Sequence, residues 1–210
     1  NQKSQITVRI LTKDEEEINE SFFKRRIAQA IKYRQEILDL KGYDAYRLIH
    51  DSADMLPGLI VDKYADHTVV QILTLGIEKR KDIIINILTD LLNPKGVYER
   101  SDSPVREKEG LTPISGLIFG QEPPDLLNIR QKNVEILVDI KSGQKTGTFL
   151  DQRENLEITS AFSTGRDVLD CFCHTGSFSI YSAYGGAKSV LGVDISGKAI
   201  EMARRNAELN

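Results

Sequence analysis

Two short apolar runs constrain the fold of this chain most: DVLDCF at 167–172 and SVLGVD at 189–194. Each is too short for a core helix. Neither alternates cleanly between apolar and polar, as a strand with one wet face would. They match strands buried on both faces, which belong to parallel sheets. Parallel neighbours need a long crossover, usually a helix. Residues 175–184 supply one, since their pattern is helical. After the second run, Ser196 is a good N-cap for GKAIEMARRNAEL, with Ile200, Ala203 and Ala207 on its buried face. Strand, helix, strand, helix is the first half of a doubly wound sheet. Just upstream, SGQKTGTFLDQRENL (142–156) is a glycine-containing loop that runs into a helix.

The earlier part has another rhythm. SQITVRIL (4–11) alternates and reads as a strand, and Thr12 with Glu15 forms a capping-box signature for a long helix. Ile18, Phe23, Ile27, Ile31 and Ile37/Leu38 repeat at roughly helical spacing along it. Its outer face is charged, and KRR at 24–26 reads as a solvated face rather than a phosphate contact. AYRLIH (45–50), GLIVDKY (58–64) and TVVQILTL (68–75) are strand candidates, the last two joined by a short hairpin at 65–67. KDIIINILTDLL (81–92) places Ile83, Ile84, Ile87, Leu88 and Leu91 on one helix face, and Asn93-Pro94-Lys95-Gly96 stops it. GVYER (96–100) and NVEILVDI (133–140) are further strands. Between them, 101–125 reads as polar loop with a short apolar stretch at 116–119. The expected class is therefore α/β and α+β: a central α+β domain over 43–140, then the first half of a Rossmann-like domain over 141–210.

Composition narrows the function. The 210 residues are 40% hydrophobic, enough to bury real cores, and the formal net charge of −3 gives no global argument for nucleic acid. No apolar run approaches the roughly 20 residues a membrane helix needs. The start lacks the pattern of a signal peptide, so the expectation is a cytoplasmic protein. The first residue is not Met, and Asn210 falls inside a helical pattern. Both ends read as cut from a longer chain.

The chemistry concentrates where the first buried strand ends. Gly176 lies in the turn before a helix, where open α/β sheets bind ligands. Asp194 ends the next strand, about 20 positions on, where such folds hold ribose hydroxyls. A dinucleotide site would want three spaced glycines, but CFCHTGSFS has one. A cofactor without phosphates, such as S-adenosylmethionine, needs no such cradle, and Asp170 at the strand end would face its charged amino acid end. Cys171, Cys173 and His174 suggest a metal, but zinc takes four ligands and no second cysteine pair exists. A redox pair would read C-x-x-C. Both cysteines read instead as small packing residues, and no metal is expected. In GQKTGTFLDQREN (143–155), Phe149 could stack on an adenine, while Asp151, Gln152 and Arg153 crowd a helix start. Arg100, Arg106 and Lys108 could touch RNA or lie in a solvated loop; the residues alone favour the loop.

Taken together, GQKTGTFLDQREN, DCFCHTGSFSI (170–180) and VYERSDSPVREKEGL (97–111) resemble the signature segments of bacterial large-subunit ribosomal RNA cytosine-5 methyltransferases, and SADMLPGLIVDKY (52–64) fits as well. The resemblance covers essentially the whole chain. It implies the tail of a PUA RNA-binding domain at 1–12, a linking helix at 13–42, the central domain at 43–140, and the opening part of a class I methyltransferase domain at 141–210. It implies S-adenosylmethionine as cofactor and ribosomal RNA as partner, no membrane, and a homodimer. Asp170, Phe172, Thr175 and Gly176 match the first cofactor motif, and Asp194 matches the ribose-binding acid. Thr146, Phe149, Asp151, Gln152 and Arg153 match the segment that folds over the cofactor, with Lys145 near the same site. Such enzymes also need an Asp-Pro-Pro type motif and a later nucleophilic cysteine. Neither is in this sequence, so the expectation is a chain that is not catalytic by itself. The rivals are an NAD-dependent oxidoreductase and a non-catalytic RNA-binding module of the same fold.

Overall fold

The computed structural model describes residues 4–210. The chain opens with an irregular segment, then α1 (Glu20–Ile37). β1 (Ala45–His50), β2 (Leu59–Tyr64) and β3 (His67–Ile72) form an antiparallel meander. The short α2 (Leu75–Glu78) and the longer α3 (Lys81–Leu92) cross over to β4 (Gly96–Ser101), which runs parallel to β3. A short α4 (Val105–Lys108) precedes β5 (Ile114–Gly120), the edge of a five-stranded sheet ordered β1-β2-β3-β4-β5. β6 (Leu127–Gln131) and β7 (Val134–Val138) make a separate hairpin. Then follow α5 (Arg153–Ser163), β8 (Asp167–Cys171), α6 (Ser177–Tyr184), β9 (Ser189–Val193) and α7 (Gly197–Leu209), with β8 and β9 parallel.

Two apolar cores follow from the two faces of the central sheet. On one face, Leu48, Leu59, Val61, Val70 and Val97 meet Phe22, Phe23 and Ile27 of α1 and Ile84, Ile87 and Leu88 of α3. The opposite face carries Ala45, Tyr64 and Val69, which pack on the hairpin (Leu127, Ile129, Val134, Ile136, Val138) and on Leu156 of α5 and Ile180 and Tyr181 of α6. The hairpin is therefore shared. It lies against the central sheet and also against the helices of the βαβα unit, so the second core runs across residue 140.

Several expectations need correction. Residues 4–11 form no strand; Ile6, Val8 and Ile10 are exposed, and the segment is held instead by polar contacts, with Arg9 Nη2 2.8 Å from Glu109 Oε1. Positions 1–3 of the proposed PUA tail lie outside the described residues. α1 starts at Glu20, capped by Asn19, whose Oδ1 accepts from Phe22 N at 3.2 Å. Thr12 cannot cap it, because its hydroxyl accepts from Asp14 N and donates to Glu16. β3 stops at Ile72, since Leu73 N donates to Gly58 O and the Thr74 hydroxyl to Pro57 O, which turn the chain into α2. In α3 the buried stripe includes Ile85, while Ile83 and Leu91 are partly exposed, because this helix packs on α1 as well as on the sheet. β5 and β6 lie in or beside the stretch expected to be loop.

In α7, Ala199 and Asn206 are buried and Ala207 is exposed, contrary to the expected stripe. The cause is Asn206. Its Oδ1 accepts from Leu137 N at 2.8 Å and its Nδ2 donates to Thr175 O at 3.0 Å, which turns that face of α7 toward β7. The side chain ties the hairpin to the turn after β8. Asn206→Ala leaves a half-buried donor and a half-buried acceptor without their partner, so it should cost roughly 1–2 kcal/mol of stability. Urea unfolding measures this, and a loss below roughly 0.5 kcal/mol would contradict the linking role.

Candidate functional site

A cleft of about 860 Å³ opens where the C-terminal ends of β8 and β9 face the loop before α5. Three chain segments carry most of its polar and aromatic groups, with the β6–β7 hairpin, α5 and α7 completing the lining; the first is the turn after β8. Phe172 has φ 62°, His174 50° and Gly176 84°, so three alternate residues adopt left-handed backbone. For Gly176 this conformation is unstrained, and its Cα approaches α7 so closely that an added Cβ would stand 3.0 Å from Ala203 Cβ. For Phe172 and His174 it costs of order 1–3 kcal/mol each. The turn directs the His174 N–H at Asp194 Oδ2, 2.9 Å away. It also leaves the Phe172 ring 88% exposed.

Asp194, just after β9, is the second segment. Its Oδ1 accepts from Ser196 N at 2.8 Å. These two backbone donors, Ser196 first and His174 second, hold its carboxyl below the usual range, so it is ionised near neutrality. Each oxygen still has lone-pair capacity for one further donor. Ile195 beside it is fully solvent-exposed.

The third segment is the loop 142–149. Phe149 meets the His174 ring edge-to-face at 5.4 Å, and Lys145 Nζ sits 4.5 Å over the Phe149 ring. Burial pushes the His174 imidazole down, so it is neutral at physiological pH and packs as an apolar ring.

Five of the sequence-predicted residues line this cleft: Phe149, Gln152, Phe172, Thr175 and Asp194. The other five do not line it. Thr146 is buried and its hydroxyl donates to Asp62 Oδ2 at 2.6 Å. Asp151 pairs with Lys145 at 2.8 Å. Arg153 lies over the Tyr43 ring at 5.2 Å. Asp170 accepts from the Ser179 hydroxyl at 2.6 Å. Gly176 faces a groove between α6 and α7. Sequence reasoning missed Ser142, Gln144, His174, Lys198 and Met202, all of which line the cleft. For His174, the available signal is its position between Cys173 and Thr175 in the turn.

The cysteines part company. Cys173 is buried against Gly192, where an added Cβ would stand 3.1 Å from its sulfur, so it is the small packing residue expected. Burial first, then the charges of Asp170 and Asp194, push its thiol up, away from the reactive thiolate. Cys171 is exposed and packs no strand end. Among the described residues, no cluster of three or more His, Cys, Asp or Glu side chains could hold a metal ion. The basic candidates at 98–110 also change meaning. Arg106 is buried, donating to Thr112 O and Glu78, and Arg100 is buried, donating to Ile140 O and Gly143 O. Only Lys108 of the three is exposed.

Residues 113–210 match the model of the S-adenosylmethionine-dependent methyltransferase family. The chain is 46% identical over 209 residues to ribosomal RNA large subunit methyltransferase I of Tolumonas auensis, and 45% identical over 209 residues to that of Aeromonas hydrophila. Each alignment covers 99% of this chain and 53% of the relative, so the chain spans about half the length of the curated relatives it matches. Among solved structures, a protein from Streptococcus mutans described as an S-adenosylmethionine-dependent methyltransferase aligns with a TM-score of 0.83 and 24% identity, over 95% of this chain and 51% of that one. A tRNA m1G37 methyltransferase from M. jannaschii aligns at 0.56 and 24% identity, over 94% and 51%. The mixed α/β architecture thus matches the fold of these solved structures, and no helix among the described residues is long and apolar enough to cross a membrane.

The different surroundings of the two thiols can be tested with Ellman's reagent at mildly alkaline pH. Cys171 should react in a fast phase that Cys171→Ser abolishes, and Cys173 should lag by at least about tenfold. Equal rates, or a faster Cys173, would refute the buried, protonated state assigned to it.

Proposed function

We propose that this chain is the cofactor-binding part of an S-adenosylmethionine-dependent methyltransferase that acts on large-subunit ribosomal RNA, with cytosine C5 as the methylated atom. The carrying observation is the cleft in which ionised Asp194, the left-handed turn at 172–176 and the loop at 142–149 converge. The strong sequence match to ribosomal RNA large subunit methyltransferases supports the substrate class.

The donor set fits that cofactor. Asp194 can accept from vicinal ribose hydroxyls, as its two oxygens each use one lone pair on backbone N–H groups. Exposed Ile195 and half-buried Met202 offer apolar surface to an adenine. Thr175 and Ser177, at the start of α6, stand where unpaired helix N–H groups favour a carboxylate. When bound, S-adenosylmethionine supplies an electrophilic methyl group on its sulfonium. The residues of this chain hold and orient it. Methylating cytosine C5 also requires a thiolate to add at C6. Neither cysteine here suits that role, since Cys173 is a buried thiol and Cys171 sits outside the cleft lining.

The same reading includes a cytoplasmic location, where ribosomal RNA is found, and self-association. Leu169, Leu191 and Val193 are exposed on one face of the β8–β9 pair, apolar surface of the kind that pairs with another chain.

The test is mass-mapped methylation of ribosomal RNA from cells with and without the gene. One methylcytosine should disappear in the deletion, return with the wild-type gene, and stay absent with Asp194→Ala. That variant should bind S-adenosylmethionine at least about tenfold more weakly in calorimetry, the expected loss of a charge-assisted contact. An unchanged modification map, or nicotinamide dinucleotide binding in place of S-adenosylmethionine, would overturn the proposal.

A further inference from the structure

The loop at 143–149 has two sides. One side presents Gly143, Gln144, Thr148 and Phe149 to the cleft. The other rests on the central sheet, on the face where Arg47 of β1 stands opposite Asp62 of β2. Asp62 is fully buried and accepts from Arg47 Nε at 2.7 Å and Nη2 at 2.9 Å. Its Oδ2 also accepts from the Thr146 hydroxyl at 2.6 Å. The Tyr64 hydroxyl lies 2.9 Å from that same Thr146 oxygen, and Thr148 N donates to the Tyr64 oxygen at 3.3 Å.

The directions of these bonds are fixed by valence. A carboxylate only accepts, so Thr146 spends its one proton on Asp62. Tyr64 must then be the donor to Thr146, which frees its oxygen to receive the Thr148 N–H. Burial pushes the Tyr64 phenol well up, so it keeps the proton it donates. One ordered chain results: Thr148 N–H to Tyr64, Tyr64 to Thr146, Thr146 to Asp62, with Arg47 balancing the charge. Bonds in such a chain polarise one another. Gly147 completes the close approach, since a Cβ there would stand 3.0 Å from Ile140 Cγ2 and 3.3 Å from Tyr64 Cζ.

We propose that Asp62, Tyr64 and Thr146 form a charge-anchored strap that positions the loop 143–149 for the cofactor, so that Thr146 is a positioning residue and does not contact the cofactor itself. The proposal rests on the reading of the cleft as an S-adenosylmethionine site. It differs from that reading in assigning part of the affinity to residues of the central sheet that lie outside the cleft. Phe149 and Thr148 are placed by a carboxylate on another sheet.

The test uses the full-length protein with three variants: Thr146→Val, which keeps the shape and removes the hydroxyl; Thr146→Ser, which keeps the hydroxyl; and Tyr64→Phe. Calorimetry gives the Kd for S-adenosylmethionine, kinetics give KM for cofactor and for RNA separately, and hydrogen exchange follows the Thr148 amide. Thr146→Val and Tyr64→Phe should each raise the cofactor Kd and KM about tenfold, as expected for one lost buried hydrogen bond. RNA KM should stay unchanged, the Thr148 amide should exchange faster, and Thr146→Ser should behave as wild type. Variants that melt lower yet bind cofactor normally would overturn the strap, as would Thr146→Ser failing as badly as Thr146→Val. A wild-type protein that binds no S-adenosylmethionine would overturn the cleft reading itself and the proposal with it. Normal wild-type binding with unaffected variants sinks the strap alone.

Discussion

A carboxylate with no solvent contact, that of Asp62, sets the terms for how the two halves of this molecule meet. An isolated charge in such a place would cost far more than a small domain's net stability. It is tolerable only because Arg47 meets it with two nitrogens and Thr146 adds a third donor. Arg47 comes from the neighbouring strand, but Thr146 comes from a loop that reaches across from the hairpin side. The central sheet can therefore satisfy its own buried charge fully only when the loop is in place. A local electrostatic requirement on β2 thus becomes a constraint on the wall of a cleft formed mainly by other elements.

The β6–β7 hairpin carries the same coupling in apolar form. Its residues fill the core between the central sheet and α5 and α6, and its backbone takes bonds from both sides. Asp44 Oδ1 accepts from Arg130 N, Tyr181 donates to Gln131 O, and Asn206 accepts from Leu137 N. A two-stranded ribbon is marginal alone. Here it is stable because two larger units each need its surface. Arg100 reinforces the joint by donating to the Ile140 and Gly143 carbonyls, a structural use for a guanidinium that is itself buried.

Elements whose signal is local were legible in the sequence. The two apolar runs, the helix between them and the Ser196 cap are where the pattern puts them, but the expected burial of both strand faces is not met, since Leu169, Leu191 and Val193 are exposed. β1, β2 and the turn at Asn93 are also where the pattern puts them. The signals that failed were those decided by partners far away in sequence. SQITVRIL alternates like a strand, yet no strand among the described residues pairs with it. Thr12 looks like a cap, yet Asn19 does the capping. Of the site residues, Phe172, Thr175 and Asp194 could be placed in the cleft from motif position, whereas His174 of the same turn was missed and Gly176 faces another groove. Thr146 and Arg153 could not be placed, since whether a side chain points into a cleft or back into the scaffold depends on Asp62 and Tyr43. An aspartate directly after the apolar run Leu59-Ile60-Val61 of β2 was the one visible hint.

The turn at 172–176 also bears on which ligand the cleft can take. Dinucleotide folds use glycines at such turns so that the backbone can close on a pyrophosphate. Here two of the three left-handed positions carry Phe172 and His174, residues that line the cleft, in place of glycine. Keeping them in this conformation costs energy that glycine would avoid, so the rings must contribute something in return. His174 does so by packing on Phe149, its imidazole kept neutral by burial, while its backbone N–H fixes Asp194. The carboxylate is thereby oriented from the strained turn at one oxygen and from the α7 cap region at the other. On the proposed reading of Asp194 as a ribose acceptor, such a turn suits a nucleoside ligand without a pyrophosphate. That selection arises from backbone conformation at 172 and 174, not from the cysteines that make this stretch of sequence conspicuous.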